Sequence, residues 1–250
     1  MSWTLFLWHV LFHIYILIWQ SALTIQSDVC LQAADADVYL DRYLNKAGFH
    51  RDLQTKVSVR GIDGKQQCRL LLIETIPSGV YVDLYQVAAM QTQGGPEVYS
   101  SQTIDVEAPE YLSTQHTLHV FANFNSSYTG ELTADVTLPI HGRYHRADTL
   151  QFIEVVIKHP QLLIYCAKFG SLGCTGNNVV KAPCDSTSKS TCNWLPVLYK
   201  ANKRNLSMFV PVGQVQHRTM VAVVTVCVTS MGCLLVLMVM WRKRCRRKLD

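Results

Sequence analysis

Thr219 to Trp241 runs for 23 residues without a charged side chain, and six Lys or Arg follow within the next seven positions. As a helix such a run reaches about 34 Å, enough to cross a hydrocarbon core of about 30 Å. The basic cluster behind it is a stop-transfer pattern. Only His217 and Arg218 stand on the other side, so the excess of positive charge predicts a cytosolic C-terminus and a type I, single-pass topology. Whatever else the chain folds into must hang from one membrane-length rod.

The same tail accounts for the charge of the whole protein. Arg242 to Asp250 holds six basic residues and one acidic residue, a balance of +5, which equals the net charge of all 250 residues. Residues 1–241 therefore sum to zero. A nucleic-acid reader needs Lys and Arg spread over a folded face to meet phosphates, and this distribution excludes one. At 49% hydrophobic and 16% charged, the chain is also too apolar to remain disordered.

Leu5 to Trp19 is a second uncharged apolar run, but at about 22 Å it is too short to span, and it reads as a signal peptide. Ser21, Ala22 and Thr24 supply small residues for cleavage, although no Lys or Arg precedes the run. The expected division is a signal over 1–22, a lumenal β-rich domain over 23–218, a transmembrane helix over 219–241 and a basic cytosolic tail over 242–250.

Cysteine usage agrees with export. Cys30, Cys68, Cys166, Cys174, Cys184 and Cys192 lie in the exported part, and an even six suggests three disulfides. Fifteen pairings are open. The last four are spaced too widely for a zinc knuckle, so a structural role outweighs metal binding. Asn125-Ser126-Ser127 and Asn205-Leu206-Ser207 are glycan acceptors on that side of a membrane.

Alternation at period two dominates the middle of the chain. Leu53, Thr55, Val57 and Val59, then Val80, Val82 and Leu84, then Leu132, Ala134, Val136 and Leu138 each alternate with polar neighbours, the mark of a half-buried strand. Further strands are expected over 69–73, 97–103, 118–122, 151–158 and 162–166. Only Asp35 to Lys46 reads as a helix, from the loose spacing of Val38, Leu40, Tyr43 and Leu44 before Gly48. Strands in series without long helices between them predict an all-β fold, an antiparallel sandwich. Cys166 to Cys192, rich in Gly, Ser, Thr and Asn, reads as a loop-rich subdomain stapled by disulfides.

A search for chemistry returns little. The common motifs of hydrolases, zincins and nucleotide-binding folds are absent, so no catalytic, cofactor-binding or metal-binding residue is expected. Asp35-Ala36-Asp37 has the Asp-x-Asp form by which many glycosyltransferases hold a divalent metal, but two acids at the start of a helix more simply stabilise its N-terminus. His141 and His145 would share a strand face about 13 Å apart with Arg143 between them, too far for one metal, so structural histidines or a polar recognition stripe are expected. In the apolar span, Thr225, Thr229 and Cys233 recur at every fourth position with Gly232 beside them. Such a small-residue stripe lets another helix approach closely. Arg247-Lys248-Leu249-Asp250 is similar to cytosolic signals that return type I proteins to the endoplasmic reticulum.

Several segments in order resemble the PIG-X family, phosphatidylinositol-glycan biosynthesis class X. They are Gly48 to Leu53, Cys68 to Leu71 continuing to Ile76 to Asp83, Ile104 to Pro109, Leu138 to His141 with Arg143 to Arg146, and Val210 to Gly213. The resemblance implies a non-catalytic subunit of the first mannosyltransferase of glycosylphosphatidylinositol (GPI) anchor synthesis, resident in the endoplasmic reticulum membrane. Its implied partner is a multi-pass catalytic subunit of the PIG-M type, which takes mannose from a dolichol carrier. The chain itself would have no small-molecule substrate. The rival architecture with the same features is a cell-surface adhesion or receptor module on one helix.

Overall fold

The structure is a computed structural model, which describes residues 36–61, 67–127, 130–166, 179–203 and 205–246. The expected signal run, Asp35, Cys30, Cys174 and the last four residues of the tail lie outside the described residues.

Two six-stranded sheets face each other. The first is built from β1 (Asp37–Asn45), β2 (His50–Arg60), β4 (Val80–Tyr81), β8 (Leu132–Gly142) and β13 (Lys200–Ala201) in the order β13-β1-β2-β8-β4, with β7 (Asn125–Ser126) pairing the start of β8. The second takes β3 (Cys68–Ile76), β5 (Glu97–Tyr99), β6 (His116–Asn123), β10 (Gln161–Cys166), β11 (Val180–Pro183) and β12 (Thr191–Pro196) in the order β11-β12-β10-β3-β6-β5. All pairings are antiparallel except β13 on β1. The expected sandwich is therefore the fold.

Sequence alternation explains the core. Leu53, Val57 and Val59 of β2 and Leu132, Ala134, Val136 and Leu138 of β8 point inward from one sheet, and Leu70, Leu72, Leu118, Val120, Leu162 and Ile164 meet them from the other. β3 and β10 instead carry unbroken apolar runs because both of their faces are covered. Leu71 and Leu163 point outward, where Trp194 and Ala182 of the β11–β12 hairpin close a second, smaller core with Phe121. Burying an indole costs free energy unless its N–H finds a partner; Trp194 Nε1 donates to the Pro183 carbonyl at 3.1 Å.

Three expectations are corrected. The helix expected over Asp35 to Lys46 gives way to a strand: Asp37–Asn45 is β1, with Val38, Leu40 and Arg42 buried in alternation. Arg42 occupies a core position, and reading it as a surface residue disguised the period of two. The second correction concerns Val80, Val82 and Leu84, which do not continue one strand. β4 stops at Tyr81, and Asp83 caps a short helix, Leu84–Gln91, by accepting from the backbone N–H groups of Tyr85 and Gln86. Third, the described parts of Cys166 to Cys192 belong to the second sheet, and 167–178 lie outside the described residues. Cys166 ends β10 and pairs with Cys68 across the β3–β10 ladder, while Cys184 pairs with Cys192 and ties the β11–β12 hairpin. The strand expected over 97–103 is also shorter, ending at Tyr99.

A third, two-stranded unit leads to the membrane segment. β9 (Phe152–Ile157) pairs with β14 (Leu206–Pro211), and Val155, Ile157, Leu206, Met208 and Val210 join the main core. The ribbon lies close on the ends of β4 and β8. A Cβ on Gly79 would stand 2.8 Å from Val155 Cγ2, a stiff side chain with little room to move, so this approach needs glycine there, whereas one on Gly142 would meet the movable end of Met208 at 2.8 Å. Four residues after β14 the chain coils, and Arg218–Arg246 forms one long helix. The helical run Val215–Arg244 is long and apolar enough to cross a membrane, and its apolar part is not buried against any of the described residues.

Candidate interaction sites

Most of the segments on which the family resemblance rests meet near Arg143, while Cys68 to Leu71 lies at the other end of β3. β8 ends at Gly142, so the His141 to Arg146 stretch leaves the sheet and does not form the single strand face that its spacing suggested. The backbone N–H of Arg143 donates to Gly79 O at 2.9 Å, its side chain donates to Ala108 O at 2.6 Å, and its guanidinium lies 4.8 Å from the centre of the Tyr81 ring. Asp105 holds the facing loop by accepting from the N–H groups of Glu107 and Ala108. Between them opens a polar cleft of about 520 Å³, bordered by Thr103, Asp105, Ser113, His116 and Arg143. Arg143 is 4% exposed, so the cation is built into the fold and is not a solvated surface charge.

The histidines are structural. His141 stacks on Tyr81, meets His50 edge-on and contacts Gln86 Oε1 through Nε2 at 2.7 Å. His145 Nδ1 lies 3.7 Å from Glu110 Oε2, whose other oxygen accepts from Ser78 Oγ at 3.1 Å. The carboxylate thus sits between hydroxyl and imidazole, whereas nucleophile activation needs the imidazole in the middle. Burial pushes the imidazoles of His116, His119, His141 and His145 below the ordinary histidine range, with the neighbouring His50 adding to the effect at His141.

Asp37 opens a strand and pairs with Lys200 at 3.2 Å, so the expected role at a helix N-terminus is overturned along with the helix. Among the described residues no group of three His, Cys, Asp or Glu is placed to hold a metal ion. Asn125, on β7, and Asn205, just before β14, are both exposed. On the long helix Thr225, Thr229 and Cys233 are exposed as well, and Thr229 Oγ1 donates back to the Thr225 carbonyl at 2.8 Å. That hydroxyl is thereby satisfied within its own helix, and the stripe offers small side chains for close approach.

Two features escaped the sequence reading. One is a buried ion pair between the sheets: Arg42 Nη2 meets Glu74 Oε1 at 2.8 Å, Nη1 donates to Lys158 O at 2.7 Å, and Nε donates to Thr55 Oγ1 at 3.2 Å. Burial raises the Glu74 carboxyl above its usual range, and the Arg42 cation opposes that shift. The other is a set of exposed apolar residues at the foot of the β-domain, Leu150, Phe152, Phe209 and Val215. The outward positions of β9 and the Phe209 that breaks the polar side of β14 are its sequence signals.

Sandwich, built-in cation and exposed apolar helix define, among the described residues, a β-domain carried on one membrane-length helix. The chain belongs to the PIG-X / PBN1 family, which it matches over residues 46–241. It is 34% identical over 221 residues to the human protein named GPI alpha-1,4-mannosyltransferase I, stabilizing subunit, covering 87% of this chain and 85% of the human one. The rat protein of the same name is 34% identical over 220 residues, with 85% of each chain covered. Protein PBN1 of Gibberella zeae is 22% identical over 139 residues, 53% of this chain and 28% of that protein.

Proposed function

We propose that this chain is the non-catalytic stabilising subunit of the endoplasmic reticulum mannosyltransferase that adds the first mannose to the GPI-anchor precursor. It binds a multi-pass catalytic subunit of the PIG-M type. The observation that carries the reading is the 34% identity, across most of both chains, to proteins named as stabilising subunits of that transferase. The architecture supports it. A catalytic subunit that crosses the membrane many times exposes loops and polar flanks when alone; a rigid sandwich can cover the former, and a helix with a small-residue stripe can pack on the latter.

In this reading the β-domain is lumenal. The signal run is removed near residue 22, Asn125 and Asn205 carry glycans, and the basic tail faces the cytosol. Glycans that stay sensitive to endoglycosidase H would distinguish residence in the endoplasmic reticulum from a receptor at the cell surface. The functional test is deletion of the gene in cultured cells, with flow cytometry of GPI-anchored surface proteins. Loss of those proteins, restored by the full chain, is expected; unchanged surface levels would sink the proposal.

A further inference from the structure

The β9–β14 ribbon is amphipathic in a place where its outer face is exposed among the described residues. Its inner face enters the core. Outside, Phe152 is 53% exposed and Phe209 56%, and with Leu150 (62%) they line one shallow apolar depression. Val215, 48% exposed, continues this surface toward the long helix. Glu154, directly opposite Phe209 in the register and bonded by Ser207 Oγ, marks its upper limit.

The patch is held at the membrane end. Val212 N donates to Gln151 O at 3.0 Å, Asp148 N to Gly213 O at 2.9 Å, and Val215 N to Asp148 O at 3.1 Å. Asp148 Oδ1 also accepts from the N–H groups of Thr149 and Leu150, which fixes the turn that presents Leu150. Residues 148–152 and 211–215 are therefore laced together. Val215 precedes Thr219, the first residue of the uncharged span, by four positions, about 6 Å of helical rise. The polar zone on each side of a bilayer is about 5–7 Å deep. Side chains tied to this collar lie at the height of the headgroups, where Phe and Leu partition favourably and a protein partner is not needed to cover them.

We propose that Leu150, Phe152, Phe209 and Val215 form a lipid-contact surface, seated in the boundary between headgroups and acyl chains of the leaflet from which the helix emerges. The contact sets the height and tilt of the β-domain over the bilayer. Arg218, three residues after Val215, adds a cation suited to lipid phosphates. The proposal depends on the membrane helix and the collar alone; it holds whether or not the chain serves a mannosyltransferase.

The test uses the full chain in microsomal membranes whose phosphatidylcholine carries a clickable choline analogue. Phe152→p-benzoylphenylalanine and Phe209→p-benzoylphenylalanine place a photoreactive group at exposed positions. Tyr39→p-benzoylphenylalanine is the control: Tyr39 is exposed on β1 beside Ser58 and Thr133, about 27 Å along β8 from His141 at eight residues' distance. Irradiation is expected to yield lipid adducts at 152 and 209 and none at 39. Absence of lipid adducts at either foot position, equal labelling at 39, or cross-links to protein alone would overturn the proposal.

Discussion

Arg42 shows how one residue can hide a strand. A guanidinium at the third inward position of β1 is tolerable only because Glu74, Thr55 and the Lys158 carbonyl meet it from three other segments. None of those partners is near it in sequence except Thr55, so the alternation of Val38, Leu40 and Leu44 was legible only to a reader willing to place an arginine in the core. Removing one member of a buried pair strands the other, at a cost of about 3–5 kcal/mol, whereas replacing both by apolar groups is often neutral. Arg42→Met is therefore expected to lower the thermal midpoint of the solubilised protein sharply, and Arg42→Met with Glu74→Leu to restore most of it. Equal losses in both variants would show that the pair is not the cause.

The histidines set an acid limit at the same scale. An unfolded imidazole has a pKa of about 6.5, and those of His116, His119, His141 and His145 lie lower in the fold because burial disfavours the charged form. Protons then bind the unfolded chain more readily, so the stability contributed by neutral histidine is complete above about pH 6.5 and is lost as pH falls through the folded values. Thermal midpoints are expected to stay level from about pH 8 to 7 and to fall toward about pH 5. His116, 6% exposed, is the group to replace: His116→Gln should flatten that fall. A midpoint that rises on acidification would contradict this account.

Among the elements, β2, β6, β8 and β10 were readable because each follows a simple rule, alternation where one face is wet or an unbroken apolar run where both are dry. The short pieces were not. Val80 and Val82 alternate correctly, yet the cap at Asp83 turns the chain into a helix, and a cap outweighs three residues of pattern. β11 and β12 are short and mixed in composition, and in β14 Phe209 breaks the polar side of the Leu206, Met208 and Val210 alternation. Disulfide pairing was equally illegible, since Cys68 and Cys166 are brought together only by the β3–β10 register. That crosslink closes a separation of 98 residues and Cys184–Cys192 one of 8, which in the chain-entropy picture correspond to about 4.7 and about 2.5 kcal/mol. Cys68→Ala with Cys166→Ala should accordingly lower the denaturation midpoint more than Cys184→Ala with Cys192→Ala. The reverse order would mean that the outer hairpin, with Trp194 beneath it, contributes more than the crosslink between β3 and β10. In the long helix the Thr225 and Thr229 stripe yields its own test. Thr225→Leu with Thr229→Leu keeps the span apolar and removes close approach, so co-purification with the catalytic subunit should weaken while membrane insertion is retained.

For the whole molecule, the tail and the apolar span already dictated one rod with its charge on one side, and the structure adds a sandwich tied to that rod by a hydrogen-bonded collar. The family was legible because its segments are spread along the chain. The meeting of most of them near Arg143 was not, because proximity of Gly79, Ala108 and Arg143 depends on loops that carry no periodic signal. The proposal for the intact protein is that it lengthens another protein's life. A partner that binds the folded state and not the unfolded one shifts the equilibrium toward folding, and its loss feeds the unfolded state to degradation. The most direct measurement is a translation-arrest chase of the endogenous catalytic mannosyltransferase subunit in cells with and without this chain. The account predicts that its half-life shortens several-fold on deletion and recovers when the full chain is returned. An unchanged half-life, with the chain absent and the enzyme still abundant, would contradict it.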